Sequence, residues 1–254
     1  MQEQTEVGLD FTQTFDSHSA TLAYGLLWRD ETYKIKEGDP GSIAVGPTAA
    51  VFGVGSDGFQ GFFPDTAGSW DQDSWSAYVD LEGEITDKFS GAIALRYESP
   101  DDYDTSLVYK VSGRYQFTDT FALRGTYNTG FRTPTPGQAH TLNVTTTADA
   151  SGNLVPSGTY PVDNPVALAL GAVPLESESS RGFTLGVVWD ALPNVTLTLD
   201  YYRLQVDDRI GLIASHVDQA AVDALNAAGY PDADLLLGSA ANFFGNAFDS
   251  DIHG

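Results

Sequence analysis

The side chains able to carry out catalysis are few and scattered in this sequence. The four histidines, His18, His140, His216 and His253, lie far apart along the chain, and neither an HExxH nor a GxSxG motif is present. The chain has no cysteine, so disulfides, thiolate metal sites and cysteine nucleophiles are excluded. We therefore expect no catalytic residues, no cofactor and no resident metal, and we predict that the protein is not an enzyme.

Two acidic runs have the composition of a hard-cation site. They are Asp71 with Asp73, and Asp101 with Asp102 and Asp104. Clustered carboxylates suit Ca²⁺, but the spacing of an EF-hand loop is missing. Solvated loop charge is the preferred interpretation, and calcium binding stays open.

Aromatic side chains outside the regular segments are candidates for ligand contact. These candidate substrate-binding residues are Phe59, Phe62, Phe63, Trp70 and Tyr160. Aromatic rings at such positions stack on sugars or flat chelates, but they also pack loops together. The sequence does not decide between the two roles.

Charge and composition exclude several classes of partner and favour strands. With 35 acidic and 12 basic residues the formal charge is -23, which repels polyanions, so we expect no nucleic-acid partner. The 26 glycines, 12 prolines and 12% aromatic residues favour strands and turns over helices. The start "MQEQTEVGLD" does not read as a signal peptide, and no run of 18 apolar residues predicts a membrane helix.

Strict alternation of apolar and polar residues is the main structural signal. From residue 76 to 86 the odd positions are Ala, Val, Leu, Gly and Ile, while the even ones include three acids. The same period of two recurs in further segments: 7–15, 21–33, 91–98, 107–117, 121–131, 183–189 and 195–201, with a ninth strand near Asn242 to Phe248. This period predicts antiparallel strands paired as hairpins.

The two faces and the connections distinguish the kind of sheet. The polar faces carry charges enough to line a wet lumen: Asp80, Glu82, Glu84, Arg96, Lys110, Arg114, Arg124 and Asp200. Aromatics near the strand ends of the apolar faces suit membrane-interface girdles: Tyr97, Phe117, Phe121, Phe131, Trp189 and Tyr201. Short turns alternate with long loops at 36–74, 133–181 and 207–241, the last with a predicted helix at 216–229. This asymmetry is typical of an outer-membrane barrel.

One segment resembles a motif of a known protein family. "GTYNTGFRTPTPGQ" resembles the barrel motif of TonB-dependent outer-membrane receptors, through Gly130, Phe131, Arg132, Pro134, Gly137 and Gln138. Stretches similar to the same family run along nearly the whole chain, among them "LAYGLLWRDETYKI", "LESESSRGFTLGVVW" and "LTLDYYRLQVDDRIG". The prolines are expected to end the strand and to keep the chain extended away from the membrane. Arg132 is interpreted as a charge at a strand end facing headgroups, with a lumen-facing partner for plug carboxylates as the alternative.

The resemblance implies a function that the residues alone do not give. It implies energised uptake of a scarce, bulky solute of the siderophore, vitamin or oligosaccharide class, in the bacterial outer membrane. The implied partners are outer-membrane lipid, the small-molecule or oligosaccharide ligand, and the TonB complex acting through a plug domain. Residues 1–254 are then expected to be part of a barrel domain, with about 8–9 strands of a 22-stranded barrel and without the plug or C-terminal strands.

Two other classes stay open at this point. A passive porin or a small complete barrel shares the alternation, although the ending "DIHG" lacks the aromatic strand expected of it. A soluble β-sandwich that binds carbohydrate or calcium would instead bury the apolar faces between two sheets.

Overall fold

The part of the chain that the structure describes forms one continuous sheet of eleven strands. A computed structural model describes residues 1–16, 19–47, 55, 60–64, 66–148 and 154–254. The strands are β1 Gln2–Phe15, β2 Ala20–Ile35, β3 Gly68–Thr86, β4 Phe89–Pro100, β5 Ser106–Thr118, β6 Phe121–Arg132, β7 Asn143–Ala148, β8 Leu154–Thr159, β9 Glu178–Leu192, β10 Val195–His216 and β11 Ala240–His253. The described helices are α1 Pro136–His140, α2 Pro165–Ala169 and α3 Gln219–Ala227, with 3₁₀ turns at Pro40–Ser42 and Ala233–Leu236.

Nine strands form an antiparallel wall, and the other two come from a loop. The order across the sheet is β1-β2-β3-β4-β5-β6-β9-β10-β11-β8-β7. The β7–β8 hairpin lies in the connection between β6 and β9, and its β8 strand adds to β11 in parallel, from Ala240↔Ser157 to Asn242↔Thr159. The predicted ninth strand is confirmed as β11, and the sheet agrees with a partial barrel of the expected class.

The apolar residues face outward rather than into a core. Leu9, Leu26, Val79, Leu95 and Val111 are all between 39% and 60% exposed, although they occupy the centres of their strands. A sandwich would bury this face against a second sheet. The described strands instead belong to one sheet, so the soluble sandwich is excluded and the outward face is suited to lipid.

Aromatic pairs line both margins of this outward apolar band. Trp28 and Trp75 lie 6.4 Å apart near the end with long loops, and Phe117 and Phe121 lie 5.9 Å apart near the end with tight turns. Above the first margin the outward side chains become polar, as at Arg181 and at Arg203. We take this change as the upper boundary of the membrane-spanning segments.

The long loops fold into a small core of their own. Buried residues of α2, α3, the 3₁₀ turn at 233–236 and the start of β11 pack together, among them Val166, Leu225 and Phe243. Asp218 caps α3 by accepting a hydrogen bond from the Ala221 amide at 2.8 Å. This core joins two separate loops, so the loops form a defined cap at their end of the wall.

Several boundaries differ from the prediction. The strands reach farther out than expected, because β3 begins at 68, β9 begins at 178 and β10 continues to 216; the connections are therefore 36–67, 133–177 and 217–239. The predicted helix at 216–229 is shorter, at Gln219–Ala227. The expected turn around 17 and 18 lies outside the described residues. Among the described helices, none has the length and apolar character needed to cross a membrane.

Candidate functional site

The polar face of the wall is the face that encloses space. Residues from β2 to β10 line two open cavities of about 790 and 630 Å³ on this side. The predicted lumen charges are among the lining residues: Asp80, Glu82, Glu84, Arg96, Lys110, Arg114, Arg124 and Asp200. We call this surface the inner face.

Ion pairs on the inner face cross from strand to strand. Arg124 of β6 donates two hydrogen bonds to Asp200 of β10, at 3.0 and 2.7 Å. Gly186 of the intervening β9 makes this possible, because a Cβ there would overlap Asp200 Oδ1. A similar arrangement lets Tyr78 cross Gly25 and donate to Asp10 at 2.5 Å.

A charged network lies nearer the loop end of the inner face. Glu98 is buried and accepts hydrogen bonds from Arg29 at 2.9 Å and from Arg96 at 2.9 and 3.1 Å. Two guanidinium groups on one buried carboxylate satisfy its charge and fix both arginines. The network borders a cavity of about 370 Å³, which Arg132 and Thr135 also line.

The family motif begins at this cavity. Arg132, the last residue of β6, donates to both oxygens of Glu178 at 2.9 and 2.5 Å, and Glu178 also accepts the Ile210 amide at 2.7 Å. The Arg132 hydrogen bond, which outweighs the effect of burial, holds the pKa of Glu178 below its usual value. Arg132 therefore faces inward and ties β6, β9 and β10 together, and the expectation that it faces headgroups is wrong.

The rest of the motif turns the chain back over the inner face. Thr135 and Gln138 form a reciprocal capping box, and Pro136 opens α1. Buried Pro134 lies just before this turn. The chain was expected to stay extended, but a proline at the first helical position favours a helix. The motif thus forms a strand-to-helix junction.

Aromatic stacking fixes α1 against β2 and β3. Trp70 stacks on His140 at 5.3 Å and on Tyr33 at 5.9 Å, and Tyr33 Oη lies 3.2 Å from Thr141 Oγ1. A Cβ added at Gly137 would lie in van der Waals contact with the Tyr33 ring. Burial lowers the pKa of His140, which keeps the stacked ring neutral near pH 7.

The five candidate aromatics lie in different surroundings. Trp70 packs in the stack just described, and Tyr160 is buried in the loop core, where burial raises its pKa to about 12. Phe62 and Phe63 are partly exposed and lie before β3. Phe59 lies outside the described residues. Ligand contact by any of them stays a prediction.

The functional residues that the sequence analysis missed are mostly ion-pair partners of charged side chains. Glu98 and Glu178 were not singled out, although parity places Glu98 on the same face as Arg29 of β2, two strands away, and Glu178 on the same face as Arg132 of the neighbouring β6. Strand pairing was needed to see this, because the partners lie 69 and 46 residues away in sequence. Within the described residues no group of three or more His, Asp or Glu side chains is arranged to hold a metal ion.

Comparison with known proteins agrees with the geometry. A search of curated proteins finds no significant match. Among solved structures, the siderophore receptor PirA from Pseudomonas aeruginosa superposes with a TM-score of 0.67 at 14% identity, over 100% of this chain and 38% of that one. A variant of the ferric enterobactin receptor from Pseudomonas aeruginosa, in complex with enterobactin, gives 0.66 at 14% identity, over 100% and 32%.

A third similar structure is the FrpB iron transporter from Neisseria meningitidis, with a TM-score of 0.54, 13% identity and coverage of 100% and 33%. The chain thus spans about a third of the length of these structures. At such identities the likeness supports the fold alone. The model of the family "TonB dependent receptor-like, beta-barrel" matches residues 2–251. The chain therefore belongs to the TonB-dependent receptor family, as part of its β-barrel domain.

Proposed function

We propose that the native protein imports a scarce, bulky solute of the siderophore class across the outer membrane, in a step energised through TonB. The family consists of outer-membrane transporters rather than enzymes. The observation that carries the proposal is the family match over residues 2–251. Residues 1–254 are proposed to be one part of the barrel, with the plug and the remaining strands supplied elsewhere in the gene product.

The polarity of the two faces of the wall supports a water-filled lumen with ordered side chains. Its outward face is apolar, and its inner face carries cross-strand ion pairs such as Arg124 with Asp200. A solute moving past such a face meets hydrogen-bond donors and acceptors held in fixed positions. The same face offers contact to a plug domain.

The loops support a receptor rather than a passive pore. The cap buries side chains such as Val166 and Leu225 completely, and α1 is held over the inner face by Trp70. Ordered loops on a rigid scaffold are the usual carriers of ligand recognition. Phe59, Phe62 and Phe63 are proposed ligand contacts, while Trp70 and Tyr160 are proposed to act mainly by shaping the loops.

The siderophore class is favoured over vitamins and oligosaccharides by the structural neighbours. They include two siderophore receptors and an iron transporter, and one was solved with enterobactin bound. The identity of 13–14% does not transfer a particular ligand. The proposal therefore names the siderophore class and no particular siderophore.

The test is uptake of radiolabelled iron by cells that express the native gene in a host lacking its own siderophore receptors. A panel of catecholate, hydroxamate and carboxylate ferric siderophores is supplied, with and without TonB. We expect accumulation from at least one siderophore, dependent on TonB and abolished by a protonophore. Uptake that persists without TonB would indicate a passive pore. Growth on an oligosaccharide or a cobalamin but on no siderophore would contradict the proposed class.

A further inference from the structure

A cavity at the loop end of the wall is lined mainly by acidic and hydroxyl side chains. It measures about 560 Å³ and lies between the β4–β5 turn and the residues that lead into β9. The side chains that give it its character are Asp101, Asp102, Asp104, Glu176, Tyr103 and Ser177. None of its described lining residues is basic. We call this space the acidic cavity.

The four carboxylates of the acidic cavity have no cation of their own. Among the described residues, none of them takes part in an ion pair. They also do not converge on one point, since within the same part of the chain no three His, Asp or Glu side chains are arranged to hold a metal ion. Calcium needs its oxygen ligands at about 2.3–2.6 Å from one centre. The arrangement therefore suits a larger cation, such as an organic ammonium group.

Two further side chains of the cavity fit such a group. Ser177 Oγ is buried and has no hydrogen-bond partner among the described residues, so it is free to accept a hydrogen bond from an ammonium group. Tyr103 is partly buried, and burial together with the charge of Asp102 raises its pKa, which keeps the ring neutral. The face of a neutral aromatic ring attracts cations.

The loops around the acidic cavity carry the same sign of charge. Four connections lie at this end of the wall: 36–67, 101–105, 133–177 and 217–239. Their described residues include eleven acidic ones, all of them exposed, and one basic one, Lys36. A surface lined by one sign of charge raises the local concentration of ions of the opposite sign and lowers that of ions of the same sign. Cations are therefore favoured at this end.

The arginines below the loops do not reverse this preference. The three that line the cavity of about 370 Å³ are all paired, because Arg29 and Arg96 bind Glu98 and Arg132 binds Glu178. Three catecholate dianions around Fe³⁺ leave a triply negative chelate, which would find no unpaired guanidinium in that cavity. Three hydroxamate monoanions leave a neutral chelate, which a protonated amine makes cationic.

We propose that the acidic cavity binds a positively charged group of the imported solute, so that within the siderophore class this receptor selects cationic chelates over anionic ones. The inference rests on the proposed uptake function. The ammonium group donates hydrogen bonds to Asp102, Asp104 and Ser177 and packs on the ring of Tyr103. The charge of Asp102 also reaches His140 of α1, where it opposes the lowering of the pKa by burial. The acidic cavity is thus close to the helix that lies over the inner face.

The test compares two ferric chelates that differ in a single charge. Ferrioxamine B is a linear tris-hydroxamate that ends in a primary amine, and acetylation of this amine removes the charge without changing the metal centre. Binding to the purified native gene product is followed by quenching of tryptophan fluorescence, and uptake of radiolabelled iron is measured in the host that lacks its own siderophore receptors. We expect the amine form to bind about tenfold more tightly, the factor for one charge-assisted hydrogen bond. Ferric enterobactin should bind more weakly than either.

Asp102→Asn combined with Asp104→Asn tests the acidic cavity itself. This double variant should bind the amine form about tenfold less tightly and the acetylated form as before. Glu37→Gln combined with Asp39→Asn is the matched control, because it removes the same charge from two exposed side chains of the 36–67 connection. The control should keep the preference for the amine form. Heat-modifiable migration on gels verifies that each variant is folded.

The outcomes separate this inference from the proposed function. Equal binding of the two hydroxamates, binding of neither, or tighter binding of ferric enterobactin would overturn the charge selection, while TonB-dependent iron uptake would still uphold the function. An equal loss of preference in both double variants would assign the selection to the loops as a whole and not to the acidic cavity. Selective binding of the amine form without TonB-dependent uptake of any chelate would support the cavity and contradict the function.

Discussion

Glu178 is the residue on which three strands of the wall depend. Its side chain is 10% exposed, and its carboxylate accepts hydrogen bonds from Arg132 of β6 and from the Ile210 amide of β10. Glu178 lies on the loop side of Arg181, where the outward side chains change from apolar to polar. It is therefore outside the membrane-spanning part of β9. A carboxylate in this position is stabilised only while it is ionised.

Replacing Glu178 by Gln should lower stability and alter its pH dependence. The folded-state pKa lies below the usual value of 4.5, so the stabilisation is complete above about pH 4.5 and is lost as the pH falls through the folded-state pKa. Near pH 7 we expect Glu178→Gln to lower the free energy of unfolding by about 1.5–3 kcal/mol, the range for hydrogen bonds to charged groups. The difference from the unmodified protein should shrink in acid. Urea unfolding of the native gene product in detergent, at neutral and acid pH, measures both effects.

Glu82→Gln is the control for this prediction. Glu82 is exposed on the same inner face of the wall. Its replacement should leave the unfolding midpoint unchanged at both pH values. If the two variants behave alike, the junction at Glu178 has no special role.

At the scale of single elements, α1 depends on its cap. The Thr135 hydroxyl accepts the Gln138 amide at 3.2 Å, and a five-residue helix has few other hydrogen bonds. Thr135→Ala should cost about 1 kcal/mol, which corresponds to roughly fivefold faster amide exchange at Ala139 and Thr141. Thr135→Ser keeps the hydroxyl and should exchange at nearly the original rate. Hydrogen exchange followed by mass spectrometry compares them, and equal rates in both variants would show that the cap does not hold the helix.

Strand β9 needs a residue without a side chain where Arg124 of β6 reaches across it to Asp200 of β10. Gly186→Ala places a methyl group on Asp200 Oδ1, so the ion pair must shift. We expect a loss of about 1–3 kcal/mol, as for other overpacked positions. Gly125→Ala on the neighbouring strand meets its nearest atom at 3.4 Å and should be almost neutral. Comparison of their urea midpoints tests the argument, which fails if Gly186→Ala is as stable as Gly125→Ala.

The sequence predicted the elements wherever the two faces of a strand meet different surroundings. In β3 to β6 lipid lies on one side and water on the other, so polarity alternates and turns such as Asp87–Lys88 stand out. Beyond the membrane both faces are polar or packed by loops, and the alternation fades. The outer ends of β3 and β10, the β7–β8 hairpin and α1 were therefore missed. The alternation of residues along each strand was enough to predict which charged side chains face the lumen. Their ion-pair partners could not be predicted, because they depend on the register between strands that are far apart in the sequence.

At the scale of the whole molecule, the wall has two edges. Along β1 every residue is exposed, and on one side of this strand none of the described strands is paired with it. Unpaired backbone groups in hydrocarbon each cost several kcal/mol, so a membrane-inserted sheet must have partners for its edges. Further strands of a longer gene product would supply them within one barrel, whereas a second copy would supply them by association.

We therefore expect the native product in isolated outer membranes to run as one barrel several times heavier than 27.2 kDa. An antibody against residues 133–181 detects it on gels of boiled and unboiled samples. A closed barrel resists detergent until it is heated, so the unboiled band should migrate differently and boiling should give the full mass. A boiled band near 27.2 kDa with a heavier unboiled band would indicate closure by association of copies instead. A band near 27.2 kDa that boiling does not shift would mean that the edges stay open, contrary to the barrel proposed here.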